Sequence, residues 1–271
     1  MKEKKIEIYI LTIKEFDEQY DKKIYIPLMC GSSISINKTN YLQDNTGDNI
    51  SQFNKYYSEL TGEYWAWKHS KADIIGFCHY RRFFAKNLRF TKLTEKDIKK
   101  DLSKYDIILP KATHIDKTNC EDIYYGMKEH PNYGATCEDY IKLNNLIKNE
   151  FPEYYSSFKK VLNKKTVYNH NIFICDRHLA NSYFNWAFQV FEKLMPQIDF
   201  SSYPPNEKRV FGFMGEFLLT TFVEKNNLKV KEHYLYNTER KFPIVTVLNA
   251  RFPIFKKLET MITPKSKRIK R

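Results

Sequence analysis

The run ADIIGFCHYRRFF, residues 72–84, carries an apolar segment straight into His79, Tyr80, Arg81 and Arg82. Guanidinium groups fork onto phosphate oxygens, so two arginines at a strand end are suited to holding an anion. Adjacent residues on a strand point to opposite faces, and a turn just after Cys78 is needed for both to reach one anion. The competing reading is structural, with ion pairs to Asp44, Asp48 or Glu59.

The elements that must position these groups follow from pattern. Ile6–Leu11 is β-branched and apolar and reads as a first strand, ended by Thr12, Ile13 and Lys14. The polar stretch LQDNTGDNIS offers the turn formers Asp44, Asn45, Gly47 and Asp48. Asp48 or Asn49 is placed to cap one long helix, in which Phe53, Tyr56, Tyr57, Leu60, Tyr64 and Trp67 recur at three- and four-residue steps. Strands are predicted at Asp73–Cys78, Tyr105–Pro110 and Tyr168–Cys175, with a charged outer helix within Lys86–Lys104. Residues 111–165 read as a mixed, mainly helical region. Asp176 caps a helix lined by Leu179, Tyr183, Trp186, Val190 and Leu194. RVFGFMGEFLLTTFVEK makes a second apolar helix and LKVKEHYLYN a late alternating strand. Strands separated by helices of ten or more residues predict an α/β fold with a mostly parallel central sheet. Ligands of such sheets bind beyond the carboxyl ends of the strands, where the His79–Arg82 tetrad falls.

The chain has 271 residues and a formal net charge of +13, with 8 Gly and 10 Pro. Size and composition suit a single domain over residues 1–248, with a basic tail over 249–271. So basic a balance suggests an anionic partner, whether nucleic acid, a phosphate-bearing small molecule or a membrane surface; an AT-rich genome would also raise Lys content. Cys30, Cys78, Cys120, Cys137 and Cys175 lack metal-ligand spacing and fit reduced thiols in a cytosol. Neither a signal peptide nor a membrane span is legible. The tail carries Arg251, Lys256, Lys257, Lys265, Lys267, Arg268, Lys270 and Arg271 beside Phe252, Ile254, Phe255 and Leu258. A basic amphipathic segment of this kind suits the anionic inner face of a cell membrane, and predicts a cytoplasmic, peripheral protein. A solvated tail is the bland alternative.

Leu42–Phe84 resembles a family of bacterial glycosyltransferases that build capsule, exopolysaccharide and lipopolysaccharide O-antigen chains, a family long catalogued as a domain of unknown function. The resemblance rests on DNTGDNIS, on ELTGEYWAWK and on GFCHYRR, present in that order. Weaker collinear matches, YNHNIFIC, YFNWAFQVFEKL and RVFGFMGEFLL, extend it from IYILTIK to about Phe222. It implies a single glycosyltransferase-A-like, Rossmann-like domain that moves a hexose from a UDP-sugar to a surface polysaccharide or lipid-linked oligosaccharide. Some relatives transfer galactofuranose. Residues 111–165 would form a helical insertion on the acceptor side.

Most folds of that type hold Mn²⁺ or Mg²⁺ with an Asp-x-Asp pair where this chain has His79-Tyr80-Arg81. The departure implies that Arg81 and Arg82, with His79, do the metal's work on the departing diphosphate. Asp44 and Asp48 remain an oxygen-ligand alternative for a hard cation. Donor contacts are expected from Thr12, Lys14, Asp44, Asn45, Asp48, Asn49, Tyr80 and Arg82. Inverting transfer needs a base for the acceptor hydroxyl. Glu216 is favoured over Asp176 and His130, because Gly212 and Gly215 let the backbone approach a ligand closely. Acceptor contacts are expected from His130, Asn169, His170, Asn171 and Trp67. A nucleic-acid-binding protein would explain the charge but not the ordered motifs, and no nucleic-acid module is present. A non-catalytic membrane scaffold acting through the tail is the third reading.

Overall fold

In the computed structural model, residues 4–87, 91–114, 137–203 and 208–239 are described. Strand β1 (Ile6–Thr12) is buried at every position, as a strand covered on both faces must be. Its alternation sorts the two cores. Ile6, Ile8 and Ile10 pack with Ile74, Cys78, Phe83 and Phe84, whereas Tyr9 and Leu11 pack with Phe77, Leu60 and Trp65 on the other face.

β2 (Tyr25–Met29) and β3 (Leu42–Gln43) extend the sheet on one side of β1, and β4 (Ile74–His79) lies on the other, all parallel. Beyond β4 the expected mostly parallel sheet gives way to a mixed one. β4 turns at Tyr80-Arg81 into β5 (Arg82–Ala85), with His79 opposite Arg82. Its first half pairs antiparallel with β9 (Ile174–Asp176). β9 pairs antiparallel with β6 (Ile107–Pro110), β6 runs parallel to β10 (Val230–Asn237), and β10 returns antiparallel to β5. The pairing β4–β9–β6–β10–β5 therefore comes back to β4 as a closed circuit. Gly76 permits the crossing: a Cβ there would lie 2.6 Å from Ile174 Cγ1 and 2.8 Å from Ile8 Cδ1.

The long helix expected after the DNTGDNIS loop is broken. A 3₁₀ turn (Ser51–Phe53) and the single turn α1 (Asn54–Tyr57) end at Ser58, whose φ of 52° stops the helix, and α2 (Leu60–His69) then starts afresh. Neither Asp48 nor Asn49 is the N-cap residue of these elements. The Lys86–Lys104 helix is confined to α3 (Glu95–Leu102), started by a Thr94–Asp97 capping box. Residues 137–162 form α4 (Cys137–Glu150) and α5 (Pro152–Leu162). Tyr140, Leu143, Phe158 and Val161 join the same core as Phe191 and Phe211, so these helices pack into the main body. A small ladder, β7 (Thr113–His114) with β8 (Thr166–Val167), precedes β9. Asp176 caps α6 (Arg177–Leu194) as expected, accepting from His178 N at 3.0 Å. α7 (Val210–Lys225) follows.

The strand expected over Tyr168–Cys175 is shorter, because His170 and Asn171 take left-handed backbone conformations, φ 80° and 53°. Cys30, Cys78 and Cys175 are buried free thiols. No helix among the described residues is long and apolar enough to cross a membrane. His130, the greater part of the 111–136 stretch, and the tail 249–271 lie outside the described residues.

Candidate active site

The carboxyl ends of β1 and β4 carry two adjoining groups of side chains. The first is cationic. Thr12 Oγ1 accepts from Lys14 N at 3.2 Å, which folds the chain over at the end of β1. Lys14 Nζ lies 5.1 Å from the centre of the Tyr80 ring, and Arg81 Cζ lies 5.6 Å from it. Glu239, just past β10, bridges the two cations: Oε2 is 2.9 Å from Arg81 Nη1 and Oε1 is 3.7 Å from Lys14 Nζ. Partial burial works to raise the Glu239 pKa, but Arg81 and Lys14 outweigh it and hold it below the ordinary value. Tyr80 N donates to Leu11 O and Thr238 N to Arg81 O, so the turn is pinned on both sides.

Arg82 points elsewhere. Its Nη1 lies 3.3 Å from His79 Nδ1. Arginine only donates, so His79 accepts at Nδ1 and carries its proton on Nε2. That Nε2 is buried without a hydrogen-bond partner. Burial, then Arg82 and His170, push the imidazole pKa well below its ordinary value, so the ring is neutral.

The second group centres on Glu216, in the second turn of α7. Its Oε1 accepts from His170 N at 2.7 Å and lies 3.9 Å from His170 Nδ1. Burial raises this carboxyl to about 8; Glu59 adds to the rise, while the His170 N–H, Arg82 and Arg209 oppose it. The neighbouring Asn171 donates through Nδ2 to Glu59 Oε1 at 3.0 Å and to Gly212 O at 2.8 Å. Gly215 is required here, since a Cβ would come within 2.8 Å of Asn171 Oδ1. Arg209 closes the cluster, donating to Ser58 Oγ at 2.8 Å and lying 3.6 Å from Glu59 Oε2. A carboxyl that titrates near neutrality, a neutral imidazole N–H and several cations are the elements of proton transfer beside a departing anion.

Residues 7–227 match the family described as "Domain of unknown function (DUF4422)". The chain belongs to the DUF4422 family. This DUF4422 chain is also similar in structure to the apo form of WbbM, a bifunctional glycosyltransferase, with 28% identity and a TM-score of 0.78. The likeness covers 87% of this chain and 45% of that one, so this chain spans less than half of that enzyme's length. No curated protein matches it.

Other residues expected at the site of the DUF4422 domain are engaged with partners outside these two groups. Asp44 is fully buried, accepting from Gly31 N at 2.8 Å, Ser32 N at 2.9 Å and Ser51 Oγ at 2.5 Å. Asp48 accepts from Tyr64 Oη at 2.9 Å and pairs with Lys68. Asn49 bonds Gly47 O and Ser51 N inside its own loop, and Asn45 is exposed. Trp67 stacks on Phe188 with the Lys68 ammonium over its ring, and Trp65 is buried. A divalent ion finds no matching set of ligands at these positions. The tetrad has no carboxylate, Asp44 is saturated, and no group of three or more His, Cys, Asp or Glu among the described residues is arranged to hold a metal. Among the described residues, the groups at these positions do not fit the ion.

Two cavities of about 420 and 460 Å³ open at the opposite end of β4, sharing Lys4, Asp176 and His178. They lie at the amino-terminal edge, away from where α/β sheets bind ligands. The sequence gives no sign of Glu239 or of Arg209 at the site, and offers Glu59 only as an ion-pair partner for the arginines. Glu59 opens the ELTGEYW motif, whereas nothing local in the sequence ties Glu239 to Arg81.

Proposed function

We propose that this chain is a nucleotide-sugar-dependent hexosyltransferase acting on a surface polysaccharide or lipid-linked oligosaccharide acceptor. The observation that carries the reading is the likeness to a bifunctional glycosyltransferase over 87% of the chain, with the cationic turn and Glu216 at the carboxyl ends of its strands. UDP-galactofuranose is the leading donor, ahead of UDP-galactose and UDP-glucose.

The chemistry follows from the two groups. The acceptor hydroxyl oxygen attacks the anomeric carbon of the donor, and Glu216 takes the hydroxyl proton as the new C–O bond forms. The bond from that carbon to the diphosphate breaks, and its electron pair leaves with the nucleotide. Lys14, Arg81 and Arg82 balance the charge that collects there, and His79 Nε2–H donates to a diphosphate oxygen. These preformed donors replace a metal, so transfer proceeds with chelator present. Attack from the face opposite the leaving group inverts the anomeric centre. The end of β1, with Thr12, holds the nucleotide, and Asn169 and His170 meet the acceptor; Asn171 is buried and serves Glu59 and Gly212 O instead. The tail brings the enzyme to the inner face of the membrane, where a lipid-linked acceptor resides.

A donor panel with purified protein, scored by nucleotide release with and without EDTA, tests this reading. Release from one UDP-hexose that survives EDTA and is lost in Arg81→Ala is the expected result. Complete loss in EDTA sinks the cation clamp, and a salt-sensitive gel shift of DNA without any donor turnover sinks the enzyme reading.

A further inference from the structure

Of the four non-glycine residues with positive φ in the described chain, Ser58, His170 and Asn171 lie together around Glu216, and Asn227 lies beyond the end of α7. Such backbone is strained, and it persists where surrounding contacts enforce it. Each of the three residues hands a bond to the same constellation. His170 gives its N–H to Glu216, Asn171 gives its side-chain N–H to Glu59, and Ser58 Oγ accepts from Arg209 Nε. Glu59 and Glu216 are thus held by consecutive residues of one strained turn. Their side chains keep 13% and 17% exposure.

We propose that Glu59, fixed by Arg209 and Asn171, is a positioning residue for Glu216. It rests on the reading of Glu216 as proton acceptor. Glu59 leaves the acceptor hydroxyl to Glu216 because its own two oxygens are engaged, Oε1 by Asn171 and Oε2 by Arg209. On Glu216, Oε1 accepts from His170 N, which leaves Oε2 for the hydroxyl. The negative charge of Glu59 makes Glu216 a stronger base, while Arg209 restrains that effect. The charged and titratable groups facing Glu216 are Glu59 at the head of α2, His170 in the turn before β9, Arg82 on β5 and Arg209 at the head of α7. His79 on β4 stands behind His170, with ring centres 6.4 Å apart.

The test titrates Glu216 by ¹³C-carboxyl NMR in the full chain, as wild type, Glu59→Gln and Arg209→Gln, alongside pH profiles of kcat/KM. Removing a like charge lowers a carboxyl pKa and removing an opposite charge raises it, by roughly one pH unit for neighbouring groups. Glu59→Gln is expected to move the Glu216 titration and the acid limb of kcat/KM to lower pH, and Arg209→Gln to move both to higher pH. At a pH below the limb, Glu59→Gln then retains about a tenfold larger fraction of its own plateau rate. A purely structural Glu59 would lower the rate in both variants with no movement of the limb, and that result overturns the proposal. So does a Glu216 titration that is unchanged, or that moves the same way in both variants. If Glu59→Gln does not fold, Arg209→Gln alone still reads the sign. Wild-type protein that turns over no donor removes the transferase reading, while the NMR titrations still decide the pairing of Glu59 with Glu216.

Discussion

Glu216→Gln is expected to stabilise the fold at alkaline pH while destroying transfer. Glutamine keeps an oxygen for the His170 N–H but cannot ionise. In the wild type the carboxyl titrates at about 8 when folded, against an ordinary 4.5. The folded state therefore holds a proton that the unfolded chain has lost throughout that window. Stability contributed by this group is intact below about pH 4.5 and falls as pH rises through 8, where the buried carboxylate is finally forced to ionise. At ~1.4 kcal/mol per tenfold the full cost approaches roughly 5 kcal/mol, and water reaching the partly exposed side chain reduces it to about 2–3 kcal/mol. For a chain of this size that corresponds to a Tm difference on the order of 5 °C. Thermal melts of both proteins at pH 5 and pH 8.5 read the effect. The variant should match the wild type at the lower pH and exceed it at the higher one. A gap that is the same at both values, or a wild type more stable at pH 8.5, refutes the placement of Glu216 in a desolvated site.

Gly76→Ala should destabilise by roughly 2–3 kcal/mol in urea melts, because the added methyl drives Ile174 and Ile8 apart where β9 crosses β4. Asp44→Ala strands two backbone N–H groups and a hydroxyl in the core and should cost on the order of 3 kcal/mol, with KM for the donor unchanged in the fraction that folds. Arg81→Lys should retain part of the nucleotide release that Arg81→Ala loses, since charge survives but the forked geometry does not. Deleting residues 249–271 should leave transfer to a soluble acceptor intact and abolish cosedimentation with anionic vesicles.

Local patterns were readable wherever a single element determines the outcome. β1 announces itself by an unbroken apolar run, and Asp176 by its position before a periodic segment. The breaks were not readable. Ser58 sits inside a clean helical periodicity, yet Arg209, distant in sequence, captures its hydroxyl at the point where the helix restarts. His170 and Asn171 read as strand residues facing an acceptor because β propensity carries no record of the two carboxylates that claim their N–H groups. A turn just after Cys78 was the condition for both arginines to reach one anion; the turn falls after His79, and it sends one arginine to Glu239 and the other to His79. The mixed sheet escaped for a similar reason: strand order beyond β4 is decided by long-range pairing with β9 and β10.

The circuit of strands that returns to β4 has a mechanical consequence. Its last stitch, from Asn237 to Glu239, fastens the chain to the Tyr80-Arg81 turn immediately before the remaining C-terminal residues begin. A pull on the chain beyond Glu239 would therefore load the Arg81–Glu239 ion pair before it reaches the rest of the sheet.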